Sequence, residues 1–157
     1  FIEADAQHIH IAKSALDLSW FDEVPEGRPV YITAQGLLMY FTEKDVRHLV
    51  SSIAKRFPGG YFYFDSIPRF LSRKTMTTSC WKKTKSYTTP RMPWGINRDE
   101  IEDTFQQWIP DLQEVRLDRW WRFPRGAARY LIPLFEYIPV LKKFAPTITR
   151  LHFGPSS

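Results

Sequence analysis

Apolar residues run almost unbroken through Val30, Tyr31, Ile32, Thr33 and Ala34, a β-branched and aromatic composition that predicts a strand buried on both faces of a parallel sheet. Gly36 ends the run, and the period then changes. Val46, Leu49, Val50, Ile53 and Phe57 fall at helical spacing, with Lys44, Arg47, Ser51, Ser52 and Lys55 on the other faces. Thr42 is placed to cap this helix, and Asp45 puts an acid near its positive end. Pro58, Gly59 and Gly60 stop it, and Tyr61, Phe62, Tyr63, Phe64 and Asp65 open a second aromatic-rich strand. The centre reads strand, helix, strand. Open α/β sheets bind ligands outside the carboxyl ends of their strands, which places a site at residues 34–40 and 65–68.

On the N-terminal side, Ile9, Ile11 and Ala12 alternate with His8, His10 and Lys13, a strand pattern in which the two histidines are either outward polar residues or a partial metal pair. Residues 20–24 predict a short helical turn closed by Pro25 and Gly27. On the C-terminal side, Asn97 is a cap for a helix through Ile101, Phe105 and Trp108 that stops before Pro110. Residues 114–120 alternate as a strand, expected antiparallel beside the Tyr61 strand at the end of the sheet. The tail, residues 127–157, is rich in Leu, Ile, Phe and Tyr. Pro133, Pro139 and Pro146 interrupt it, so short helices that cover the sheet or touch a partner are expected.

Residues 66–98 contain no acid but carry Arg69, Arg73, Lys74, Lys82, Lys83, Lys85, Arg91 and Arg98 among Trp81, Tyr87 and Trp94. This insertion reads either as a basic, aromatic lid for an anionic or aromatic substrate or as a solvated loop with a surface helix.

With 157 residues, 43% hydrophobic and 25% charged, the chain is long enough for one globular domain, residues 1–157, with its own core. No run approaches the length of a membrane span and no secretion signal opens the chain, so a cytoplasmic protein without a membrane role is expected. The single cysteine, Cys80, excludes an internal disulfide and any cysteine-based zinc site. The net charge of +5 suits an acidic partner, but no recognition motif accompanies it, and nucleic acid is not the expected partner.

Two polar positions sit where strand ends should meet: Asp17, before Leu18, and Gln35, before Gly36. Groups in such a crevice can accept from an adenine amino group or a ribose hydroxyl, while an Asp-Leu pair after a strand by itself reads first as a helix cap or turn.

Four stretches occur in a telling order: Ser14, Ala15, Leu16, Asp17, Leu18, Ser19 and Trp20; then residues 34–41, Ala-Gln-Gly-Leu-Leu-Met-Tyr-Phe; then Phe57, Pro58, Gly59 and Gly60 with Phe64 and Asp65; and Pro93, Trp94, Gly95 and Ile96. Together they resemble the leucine carboxyl methyltransferase family, and within it the bacterial O-methyltransferases of polyketide pathways, over residues 9–120. The resemblance implies an S-adenosylmethionine-dependent enzyme on a Rossmann-like α/β fold of the class I methyltransferase type, with the last strand antiparallel. It implies that Asp17, Leu18 and Gln35 contact the cofactor. The family usually carries glutamate at the position of Gln35, so this chain keeps the hydrogen bonding but not the charge.

The seven glycines do not form the glycine-rich turn that cradles the methionine end of the cofactor in such enzymes, and the chain starts at Phe1. It therefore resembles the C-terminal portion of the fold, beginning near the fourth strand. A missing N-terminal segment, a second chain or a homodimer is expected to cover the exposed edge of the sheet. Tyr40, Arg69, Arg73 and Lys74 are candidates for holding a small-molecule acceptor, either a carboxylate, which needs no base, or a phenol, which benefits from one. No residue is singled out as that base. The alternative reading is a methyltransferase-like binding or dimerisation module without catalysis.

Overall fold

Four strands build the sheet: β1 (Tyr31–Ala34), β2 (Tyr61–Ser66), β3 (Leu112–Arg119) and β4 (Thr147–Phe153), in the spatial order β1-β2-β4-β3. The computed structural model describes residues 9–25, 27–77, 90–119, 143 and 145–155. β1 and β2 are parallel, with Tyr31 opposite Tyr61 and Ala34 opposite Phe64, and α1 (Glu43–Arg56) makes the crossover between them. β4 lies between β2 and β3 and is antiparallel to both. The result is a mixed α/β layer, a partial Rossmann-like fold with its last strand reversed.

Helix α1 starts where the sequence places it. The Thr42 N–H donates to Asp45 Oδ2 at 3.3 Å, and the Asp45 N–H donates back to Thr42 Oγ1 at 3.3 Å, a reciprocal box that satisfies two donors free at a helix start. Val46, Leu49, Val50 and Ile53 form the buried stripe, each worth about 1.5–3 kcal/mol of transfer free energy. They pack on the sheet face that carries Ile32, Phe62, Phe64, Leu151 and Phe153. Helix α3 (Ile101–Trp108) adds Ile101, Phe105 and Trp108 to the same core, with the Phe105 ring 5.1 Å from Phe64. Asn97 caps its entry turn, Arg98–Glu100, in a box with Glu100, and the helix ends before Pro110 as expected.

The opposite sheet face is lined differently. Tyr31, Tyr61 and His152 stack in one row across β1, β2 and β4, with centroids 4.9 and 4.3 Å apart. Tyr31 remains 64% exposed. β1 is thus not buried on both faces: it is an edge of the described sheet, and only the side chains that point toward α1 reach the core.

Three further expectations change. Residues 9–13 form no strand: the segment pairs with neither edge of the described sheet, β1 nor β3, and Ile9 is 68% exposed. β3 does not lie beside β2, because β4 takes that place. The tail is not helical throughout: residues 147–153 are a strand whose buried positions are Thr147, Thr149, Leu151 and Phe153. Residues 127–142 lie outside the described residues.

The insertion at 66–98 also divides. Its start is helix α2 (Arg69–Met76), and its end is core: Trp94, Gly95 and Ile96 are buried, with the Ile96 N–H bonded to Ile67 O at 2.9 Å and Ser72 Oγ to Met92 O at 2.8 Å. Residues 78–89, with Cys80, lie outside the described residues.

Candidate functional site

The carboxyl end of β1 is a tight turn. Ala34 is buried, Gln35 is exposed, and Gly36 adopts φ +59°, a conformation that side chains disfavour. From the end of β2, Asp65 Oδ1 accepts the Gly36 N–H at 2.6 Å and ties the two parallel strands together at this point. The chain then enters the 3-10 turn Leu38–Tyr40, whose Leu38 and Met39 are buried while Tyr40 is 42% exposed. Met39 O accepts the Trp94 N–H at 3.3 Å, so Tyr40 stands next to the Pro93–Trp94 segment at the rim.

Asp17 precedes the 3-10 turn Leu18–Glu23 and caps it: its Oδ1 accepts the Ser19 N–H at 3.1 Å. Hydrogen bonds from Ser19 hold its carboxyl below the usual aspartate range against the opposing effect of burial, with Lys13 adding to the shift. Leu18 packs on the edge of the core. The turn is anchored by Trp20 and Phe21, whose rings lie 6.2 and 5.3 Å from Phe57 at the end of α1. Gln35, in contrast, sits at the sheet end where α1 begins. Asp17 and Gln35 thus have separate hydrogen-bond settings, Asp17 with Ser19 at its own turn and Gln35 beside the Gly36 N–H that Asp65 holds.

Arg69 is engaged elsewhere. Its Nε lies 2.6 Å from Glu100, its guanidinium 3.6 Å from Glu43, and its N–H donates to Asn97 Oδ1 at 3.2 Å. These contacts join the starts of α1, α2 and the turn into α3, which removes Arg69 as a free anion-binding charge. A cation in the first turn of α2 opposes the helix dipole, and the two carboxylates offset it. Arg98 is structural as well, with Nη2 donating to Leu117 O at 3.1 Å. Arg73 and Lys74 remain exposed on the last turn of α2, opposite the buried Ser72 and Thr75.

Two surface grooves, of about 290 and 530 Å³, are lined by residues that include Lys55 and Asp111 in one and Arg28 and Arg56 in the other. Both border the end of α1, away from Gln35. Among the described residues no cluster of three His, Cys, Asp or Glu side chains could hold a metal, and no helix is long and apolar enough to cross a membrane.

The chain is similar to a methyltransferase. Over 86 residues it is 32% identical to the tetracenomycin polyketide synthesis O-methyltransferase TcmP of Streptomyces glaucescens, a match that covers 55% of this chain and 30% of that protein. Its fold is similar to the crystal structure of a DUF574 family protein from Streptomyces avermitilis, with a TM-score of 0.50 and 14% identity over 90% of this chain and 53% of that one. At that identity the likeness shows the fold alone. No family model matches the chain. The chain thus spans less than a third of the length of the one relative and about half of the other.

Two residues went unassigned in the sequence: Asp65, which holds the Gly36 turn, and Glu100, which holds Arg69. The Phe64, Asp65 pair is visible in the motif, but only the register of β1 on β2 carries its carboxylate to Gly36.

The donor and acceptor chemistry of the Gln35–Gly36 turn fits a cofactor with amino and hydroxyl groups. Gln35 is an exposed amide, Asp65 is a carboxylate behind it, and a Cβ built on Gly36 would meet nothing within 4 Å, so the approach is open.

Proposed function

We propose that this chain carries the C-terminal strands of an S-adenosylmethionine-dependent O-methyltransferase of the leucine carboxyl methyltransferase type, in its polyketide branch. The observation that supports this most is the open Gln35–Gly36 turn at the carboxyl end of a parallel strand, in a chain 32% identical over 86 residues to a polyketide O-methyltransferase. In this reading Gln35 accepts from or donates to the cofactor, and Asp17 and Leu18 lie on its adenine side. The bound cofactor supplies a methyl group on a sulfonium, which is displaced onto an acceptor oxygen. The chain's own contribution is to align the two partners and to exclude water.

The acceptor is a carboxylate or phenolic small molecule. Tyr40, exposed at the rim, borders it, and Arg73 and Lys74 on α2 supply positive charge toward an anion; Arg69 contributes through the frame of helix starts. The free edge of β1 is covered in the working protein by a further segment, a second chain or a second copy, since an uncovered parallel edge invites unwanted pairing.

The test is transfer of a labelled methyl group from S-adenosylmethionine to a panel of aromatic carboxylic acids and phenols, with the protein as its gene encodes it. Labelled ester or ether product supports the reading. A folded protein that labels no member of either class contradicts it.

A further inference from the structure

The geometry points to a role for Asp65 that rests on the reading above: we propose that it is the positioning residue and the anionic group of the cofactor crevice. Asp65 Oδ1 holds the Gly36 N–H at 2.6 Å, and the chain contains no cis peptide among the described residues. In a trans peptide the N–H and the preceding C=O point in opposite directions. The Gln35 carbonyl oxygen therefore faces away from Asp65, presented as an acceptor on an exposed turn whose glycine leaves open space beside it.

A carbonyl oxygen aimed this way suits a cationic donor such as the ammonium of an amino acid moiety. Gln35 carries no charge to favour that cation. Glu43 and Glu100 are paired with Arg69, and Asp45 is taken up by Thr42. Among the described residues Asp65 forms no ion pair, and its carboxylate faces the Gly36 N–H at the strand end. One side chain thus fixes the peptide that binds the ligand and supplies the potential that favours a sulfonium and an ammonium over neutral groups.

The test is calorimetric titration of the protein as its gene encodes it with S-adenosylmethionine and with S-adenosylhomocysteine, which lacks the sulfonium charge. Asp65→Asn keeps an acceptor for Gly36 and is expected to weaken S-adenosylmethionine about two- to fivefold relative to S-adenosylhomocysteine. Asp65→Ala releases the turn and is expected to weaken both ligands by about fivefold or more. The Gly36 amide proton resonance should move upfield in Asp65→Ala, with the remaining backbone spectrum retained. Wild-type binding that neither variant changes, or a Gly36 resonance that stays in place, overturns the role of Asp65 alone. No binding by the wild type overturns it together with the methyltransferase reading.

Discussion

Arg69 and Glu100 lie 2.6 Å apart and join the start of α2 to the turn that opens α3. Burial pushes the Glu100 carboxyl up, but hydrogen bonds from Arg69 and Asn97 outweigh it and hold the group below the usual glutamate range. A folded-state pKa lowered in this way contributes stability that is present above the unfolded glutamate value and is lost as pH falls through the folded one. Both side chains are more than a third exposed, so solvent screens the pair, and Arg69→Met should cost about 0.5–1 kcal/mol at neutral pH. Urea denaturation at pH 7 and below pH 4 checks this: the gap between wild type and variant should shrink in acid.

The cap of α1 makes a separate prediction. Thr42→Ala removes the oxygen that accepts the Asp45 N–H and should cost about 1 kcal/mol, whereas Thr42→Ser should be nearly neutral. Thermal melts of the two variants give the comparison, and equal losses in both would show that the hydroxyl does not cap the helix.

Gly95 has a third, steric role. A Cβ there would come 2.7 Å from Ser72 Cβ and 3.0 Å from Ile67 O, between α2 and the buried Trp94 segment. Gly95→Ala should therefore destabilise the fold by about 1–3 kcal/mol through overpacking. An unchanged denaturation midpoint would mean that α2 does not rest on this segment.

Much of the central unit was legible because local signals and tertiary demands agree there. The Val30 to Ala34 run, the Thr42 cap, the stripe on α1, the Tyr61 strand and the Asn97 cap all appear at the expected residues. β4 was hidden because two of its buried positions are threonines, Thr147 and Thr149, so its alternation does not read as hydrophobic and polar. The place of β3 was misjudged for the same reason, since an unseen strand cannot be put between two seen ones. Residues 9–13 show the converse failure: an alternating pattern makes a strand only where a neighbour accepts its backbone. At the site, Gln35 and Gly36 were legible as a turn after a strand. The commitment of Arg69 and the clip from Asp65 depend on which strand and helix ends meet, which spacing along the chain does not encode.

The central claim is that the carboxyl end of β1 binds S-adenosylmethionine. Its most direct test is calorimetric titration of the protein as its gene encodes it, wild type beside Gln35→Ala and Asp17→Ala. Saturable binding with one site per chain, weakened by about fivefold or more in Gln35→Ala through loss of a hydrogen bond, is the predicted result. A folded protein that takes up no S-adenosylmethionine, or binding that both substitutions leave unchanged, would contradict the claim.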